Sequence, residues 1–249
     1  MVCVHGFTDT WRTWELVLPA LEREHDVLAP TLAGHAGGPA IEGEITDDTL
    51  ADGIERAMNE AGIETAHIVG NSLGGFIALQ LATRGRARSV VALAPAGGWV
   101  ADDDAFGETM DFFVTMRAQL QAAAPNAEAI LSTPEGRRLV TAFTTTNYEH
   151  IPVELLAHGM RGAAACDAAL PLIDHARREG WSLDAERITC PVRVIWGTGD
   201  RILRWPGAAA RYRDEWLPTA DWVELDGIGH CPQLDVPLET AELILGFTR

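Results

Sequence analysis

The sequence predicts an α/β protein: a mostly parallel sheet flanked by helices, with a helical block inserted into it. Three observations predict this. Strand-like and helix-like segments alternate over residues 1–98; strand character disappears over 99–185, where one helical stretch follows another; and alternation returns over 186–249. Parallel strands need crossover connections, usually helices, so alternation of this kind implies helices on both faces of the sheet. The chain therefore divides into a core of residues 1–98 and 186–249 and a helical cap of residues 99–185.

Taken in order, residues 1–4 read as a short buried strand and residues 14–21 as a helix. Asp26-Val27-Leu28-Ala29 reads as a second strand, stopped by Pro30. Thr46-Asp47-Asp48-Thr49 has the form of an N-cap with early acids, opening a helix to about Ala61. Residues 66–69 are a strand, the helix from Gly74 stops near Gly85, and residues 89–94 are the next strand. Beyond the helical block, residues 192–196 and 222–225 read as strands, and helices fall near 206–216 and 237–247.

Composition narrows the function. A chain of 249 residues, 47% of them hydrophobic, can bury one large core with a subordinate unit. No apolar run reaches membrane-spanning length, the start lacks a secretory pattern, and Cys3, Cys166, Cys190 and Cys231 are scattered. Free thiols in the cytoplasm are the expectation. The net charge is -17, and all 19 basic residues are arginine. Such an acidic chain repels nucleic-acid backbones and anionic membranes, leaving a small molecule as the expected substrate. Asp102-Asp103-Asp104 reads as a solvated face or a helix start. The eight histidines lack ligand-like spacing, and no nucleotide-binding glycine loop is present, so neither metal nor cofactor is expected.

The chemistry concentrates where a strand meets a helix. Gly70-x-Ser72-x-Gly74 stands between them, with glycine two before and two after the serine. A turn that tight excludes side chains at its flanks and lifts Ser72 above the sheet, at a helix N-terminus that favours a developing anion. A nucleophilic serine needs a base and an orienting acid. Trp196-Gly197-Thr198-Gly199-Asp200 delivers a carboxylate after one strand, and Gly227-Ile228-Gly229-His230 a histidine after the last. C-terminal strand ends of an open parallel sheet share one rim, so Ser72, Asp200 and His230 converge there as a triad. The strand ending in His5-Gly6-Phe7 aims the Phe7 N–H at the same rim, and with the Leu73 N–H it makes an oxyanion hole. His5 reads as a brace for that loop, Cys231 as buried filler, and Trp14 as packing. Trp11, Asn71, Phe113, Met116, Phe143 and Met160 are the substrate-binding candidates.

At this point the chain resembles the α/β-hydrolase superfamily, through His5-Gly6-Phe7, Ala33-Gly34-His35, Gly70-Asn71-Ser72-Leu73-Gly74-Gly75, Trp196-Gly197-Thr198-Gly199-Asp200 and Gly229-His230-Cys231-Pro232. The resemblance implies an eight-stranded core with a helical cap after the sixth strand. It also implies two antiparallel strands ahead of the His-Gly strand, which here begins at Met1, so those two are expected to be missing. The strand at residues 26–29 would then be an apolar sheet edge, inviting a homodimer along it. Serine at the elbow argues against the haloalkane dehalogenase and epoxide hydrolase branches, which use aspartate there. The Gly-Asn-Ser-x-Gly-Gly elbow is similar to that of meta-cleavage-product hydrolases, which break carbon–carbon bonds, but Gly229-His230-Cys231 departs from their Gly-His-Trp. The expectation is a serine hydrolase of carboxylic esters, of the small esterase, lactonase or thioesterase kind. Carbon–carbon bond hydrolysis and a non-catalytic receptor on the same fold are the alternatives.

Overall fold

The structure, a computed structural model, describes residues 1–99 and 104–249. Its centre is a parallel sheet of five strands in the order β1-β2-β3-β4-β5: β1 (Val2–Val4), β2 (Ala66–Asn71), β3 (Ala87–Leu93), β4 (Val192–Gly197) and β5 (Asp221–Leu225). Helices α1 (Leu18–Leu21), α2 (Thr49–Glu60) and α3 (Leu73–Thr83) fall between the early strands. Five more follow β3: α4 (Asp104–Ala123), α5 (Ala127–Leu131), α6 (Pro134–Thr141), α7 (Val153–Ala164) and α8 (Ala169–Glu179). After β5 come α9 (Pro232–Asp235) and α10 (Pro237–Leu245). No described helix is long and apolar enough to cross a membrane.

Successive strand residues point to opposite faces, and the core splits accordingly. Val2, Val4, Ile68, Val90, Ala92, Val194 and Trp196 pack on one face with α2 and α3. Cys3, Val69, Val91, Leu93 and Ile195 pack on the other, with Trp14, Leu21, Ala241 and Ile244. α3 is apolar almost all round and buried from Leu73 to Leu79, as a helix between sheet and overlying helices must be. Arg84, just beyond its end, reaches Asp48, Asp52 and Glu55 at 2.5, 2.6 and 2.9 Å, tying α3 to α2. The helical block has an apolar cluster of its own at Ala127, Leu131, Ala157 and Met160.

Three expectations are corrected. The sheet has five strands among the described residues; with two of the family's eight expected to be missing, the one further strand lost is residues 26–29. Residues 26–29 do not form a strand: Leu28 makes a single parallel bridge to Val2, through Leu28 N–H to Met1 O and Cys3 N–H to Leu28 O, both 2.9 Å. Pro30 has no N–H to extend the ladder. The helix expected over 14–21 is split into a 3₁₀ turn at Trp11–Trp14 and the short α1. The segment near 206–216 is a 3₁₀ turn at Gly207–Ala209 and a π turn at Tyr212–Trp216 rather than an α-helix. Tyr212 is drawn inward there, its hydroxyl donating to Ala96 O at 2.6 Å. Of the acidic run, Asp104 opens α4; Asp102 and Asp103 lie outside the described residues.

The β2–α3 turn is the tightest packing point of this architecture. A Cβ on Gly70 would sit 2.1 Å from Gly74 O, and one on Gly74 2.1 Å from Val4 O, both backbone atoms that cannot swing aside. Gly74→Ala is expected to push α3 off β1 and cost at least about 2–4 kcal/mol, the range of severe packing defects. Urea unfolding of variant and parent checks this, and equal midpoints would contradict it.

Candidate active site

Ser72 caps α3 with φ 56° and ψ -120°, a backbone conformation rare for a residue with a side chain and worth about 1–3 kcal/mol of strain. Hydrogen bonds hold it there. Its N–H donates to Leu93 O at 2.9 Å, and its carbonyl accepts from Gly75, Phe76 and Ala96 N–H at 2.9, 3.1 and 3.0 Å. Leu73 follows as the first helical residue, so its N–H has no carbonyl one turn back inside the helix.

Asp200 and His230 arrive from the ends of β4 and β5. His230 Nδ1 lies 2.6 Å from Asp200 Oδ2. Asp200 Oδ1 accepts from the N–H groups of Ile202 and Leu203, both at 2.8 Å. A carboxylate so oriented takes its remaining bond from Nδ1–H, leaving His230 Nε2 with a free lone pair. Ser72 and His230 border the same cavity, of ≈ 190 Å³.

The loop after β1 closes the opposite side. A Cβ on Gly6 would lie 3.2 Å from Ser72 Cβ, so Phe7 enters the site directly beside the serine. His5 braces this loop. Its Nε2 accepts from Leu32 N–H at 2.9 Å, which leaves Nδ1 to donate to Gly6 O at 2.8 Å. Burial, helped by His35 alongside, lowers the His5 pKa to about 3, and burial lowers that of His35 to about 4. Asp9, further along, has Oδ1 on Thr10 N–H at 2.8 Å; burial pushes its carboxyl up to about 6, against the pull of Thr10 and Thr13.

Of the substrate-binding candidates, Phe113, Met116, Phe143 and Met160 border the His230 cavity. Trp11 does not: it is 41% exposed and lines no cavity at Ser72, with its N–H on Thr31 Oγ1 at 3.4 Å. Asn71 borders the cavity but its amide is spent on structure. Nδ2 donates to Leu93 O and His230 O at 3.1 and 3.0 Å, and Oδ1 accepts from Gln233 Nε2 at 3.1 Å and faces Cys231 Sγ at 3.5 Å. Cys231 is buried on the wall of the same cavity, its thiol pushed well up by burial and by the charges of Asp9, Asp200 and Asp235. Trp14 is fully buried in the core.

Sequence reasoning missed Asp235, which belongs to no motif. Its carboxylate is 2% exposed and accepts from the N–H groups of Gly229, Thr146 and Asn147 at 2.7, 2.9 and 2.5 Å, and from the Thr146 hydroxyl at 3.0 Å. It thereby clamps the residue before His230 to the segment between α6 and α7. Sequence reasoning also missed a second cavity, of ≈ 100 Å³, bordered by Leu50, Phe76, Ile77, Trp99, Met110 and Trp181. Ser72, Phe7 and Phe113 border both cavities, and the two phenyl rings meet edge to face at 4.9 Å. No cluster of metal-ligating side chains occurs among the described residues.

The alpha/beta hydrolase family model matches residues 1–243. The chain is 35% identical over 199 residues to a protein named epoxide hydrolase EphH from Mycobacterium tuberculosis, covering 80% of this chain and 92% of that one. It is 28% identical to a pimeloyl-[acyl-carrier protein] methyl ester esterase from Aromatoleum aromaticum, covering 100% of this chain and 98% of the relative. Among solved structures, an enol-lactonase from Burkholderia xenovorans superposes with TM-score 0.72 at 21% identity, covering 99% of this chain and 89% of that one. An esterase from Thermogutta terrifontis superposes with TM-score 0.72 at 19% identity, covering 99% and 88%. These two likenesses are of fold.

Two predictions follow from the buried charges. His5 and His35 stay neutral in the fold well below 6.5, so their contribution to stability is full above pH 6.5 and is lost as pH falls through about 4 for His35 and about 3 for His5. Asp9 acts oppositely. Its folded pKa is raised, so ionising it from 3.8 to about 6 costs stability, and acid relieves that cost. Asp9→Asn is therefore expected to gain stability at pH 7 and to lose it more steeply on acidification than the parent; identical pH slopes in denaturant titrations would contradict this. Asp235→Asn places an amide NH₂ against backbone donors, and is expected to lower kcat/KM by about ten-fold or more by loosening the His230 loop, with Ser72 reactivity towards a small phosphonate affected in parallel.

Proposed function

We infer that this chain, which belongs to the alpha/beta hydrolase family, is a serine hydrolase cleaving carboxylic esters through an acyl-enzyme on Ser72. The observation that carries the reading is the His230–Asp200 pair at 2.6 Å, whose free Nε2 borders the same cavity as a strained, glycine-flanked serine. In this reading, His230 Nε2 takes the Ser72 proton as Oγ attacks the acyl carbon. Asp200 holds the tautomer and stabilises the imidazolium that forms. The Phe7 and Leu73 amides donate to the oxyanion, at the positive end of α3. His230 then returns the proton to the leaving alcohol and activates the water that frees Ser72.

One relative carries the name epoxide hydrolase, and the nucleophile separates the two chemistries. A serine oxygen that opened an epoxide would be left as an ether, which neither oxyanion donors nor an activated water releases. An acyl carbon returns the serine on hydrolysis. The relative named as a methyl ester esterase supports the ester reading.

Ser72→Ala is expected to lower turnover of p-nitrophenyl esters by about 10⁴-fold or more with the fold intact, and to abolish labelling by a fluorophosphonate. Near-parental turnover by this variant would overturn the mechanism.

A further inference from the structure

Two cavities meet at Ser72, and they differ in what they can do to a bound acyl group. The one lined by Trp99 and Trp181 lacks His230. The other has it, and is also bordered by Arg12, Arg117 and His158. A leaving oxygen must be within reach of His230 to collect its proton. The leaving group of an ester therefore belongs in the His230 cavity, and the acyl group in the apolar one.

The charges in the His230 cavity are nearly all committed. Arg12 is paired twice with Glu15, at 2.7 and 3.1 Å. His158 Nε2 is bonded to Thr10 Oγ1 at 3.0 Å, and burial and the nearby Arg12 and Arg161 charges lower its pKa. His230 is held by Asp200. The Asp9 carboxyl is turned onto its own loop at Thr10 N–H. Arg117 is the exception. Its Nε is buried with no hydrogen-bond partner, and no carboxylate stands within ion-pair distance of its guanidinium among the described residues. In a chain with 36 acidic and 19 basic residues, a half-buried guanidinium without an acid partner among the described residues, on the wall of the cavity that Ser72 also borders, is an open seat for an anion. Arg117 lies one helical turn beyond Phe113 on α4, and Phe113 itself touches Phe7 and borders Ser72. Arg117 thus stands about 6 Å further along α4 than Phe113.

We propose that the His230 cavity takes a leaving group bearing a carboxylate, bound by Arg117, while an apolar acyl chain fills the Trp99–Trp181 cavity. The proposal rests on the ester reading for which half of the substrate lies where; the carboxylate site itself does not. A singly charged carboxylate suits an acidic protein better than a phosphate dianion, which the surrounding field repels twice as strongly.

The test is a matched pair, para-hexanoyloxybenzoate and its methyl ester, which differ in one charge on the leaving group. The parent is expected to favour the anion by about ten- to hundred-fold in kcat/KM, the scale of a charge-assisted pair. Arg117→Gln should remove that preference by slowing the anion alone, and Arg117→Lys should restore part of it. Binding is read separately, by titrating para-hydroxybenzoate and its methyl ester into the Ser72→Ala protein. Tighter binding of the anion, lost when Arg117→Gln is added, supports the site. Equal binding of the two, or an anion preference that survives Arg117→Gln, overturns it. If neither ester is cleaved by the parent, the ester reading fails, and the binding titration still decides the carboxylate site.

Discussion

Two backbones approach so closely at the start of α3 that nothing larger than hydrogen fits between them, and the geometry of the site hangs on that contact. Val4 O and His5 O lie 2.1 and 2.5 Å from where a Gly74 Cβ would be, so β1 and α3 are in direct backbone contact. The same approach forces Ser72 to φ 56°, and the four hydrogen bonds at its N–H and carbonyl keep it there. It also brings Gly6, two residues after β1 ends, to within 3.2 Å of Ser72 Cβ, again measured from the Cβ it lacks. The loop carrying Phe7 and the helix carrying Leu73 thus reach the serine through one packing event.

A second constraint is polar satisfaction. The turn, the histidine loop and the helical block each bring backbone donors into places water cannot reach, where an unpaired group costs about 1–3 kcal/mol. Asn71 spends its amide on Leu93 and His230, Gln233 donates to Asn71 and to Thr13, and Asp235 collects the N–H groups of Gly229, Thr146 and Asn147. These side chains link β2, the 3₁₀ turn at Trp11–Trp14, the His230 loop and the segment before α7. That segment is therefore tied to the His230 loop through Asp235 and through the bond from Cys231 N–H to Thr144 O at 2.9 Å.

What the sequence made legible has short-range causes. The elbow glycines, the strand ends that carry Asp200 and His230, and the alternation that splits the core into two faces all follow from local sterics and a period of two. What it concealed depends on distant partners. Residues 26–29 have strand composition, yet only Leu28 pairs, because pairing is decided by the neighbouring strand and by Pro30. Residues 206–216 have helical composition, yet Tyr212 is turned inward to Ala96, more than a hundred residues away. Asp235 is one acid among 36, and its donors lie 6 and nearly 90 residues distant. Trp11 and Trp14 share one sequence pattern and part company only when one of them meets the core.

Three buried histidines surround the serine's loops, and they differ in how their nitrogens are bonded. His5 has both nitrogens engaged, accepting from Leu32 and donating to Gly6, so neither lone pair nor proton is free. His35 faces Ala33 O through Nδ1, has no carboxylate partner among the described residues, and its pKa is lowered to about 4 by burial. Its cation would be a charge buried without a partner. His230 alone combines a carboxylate on Nδ1 with an uncommitted Nε2 at the cavity wall. The Asp200 oxygen that faces it is held in place by two backbone donors on the carboxylate's other oxygen. The loop histidines brace the scaffold around Ser72, where burial keeps them neutral.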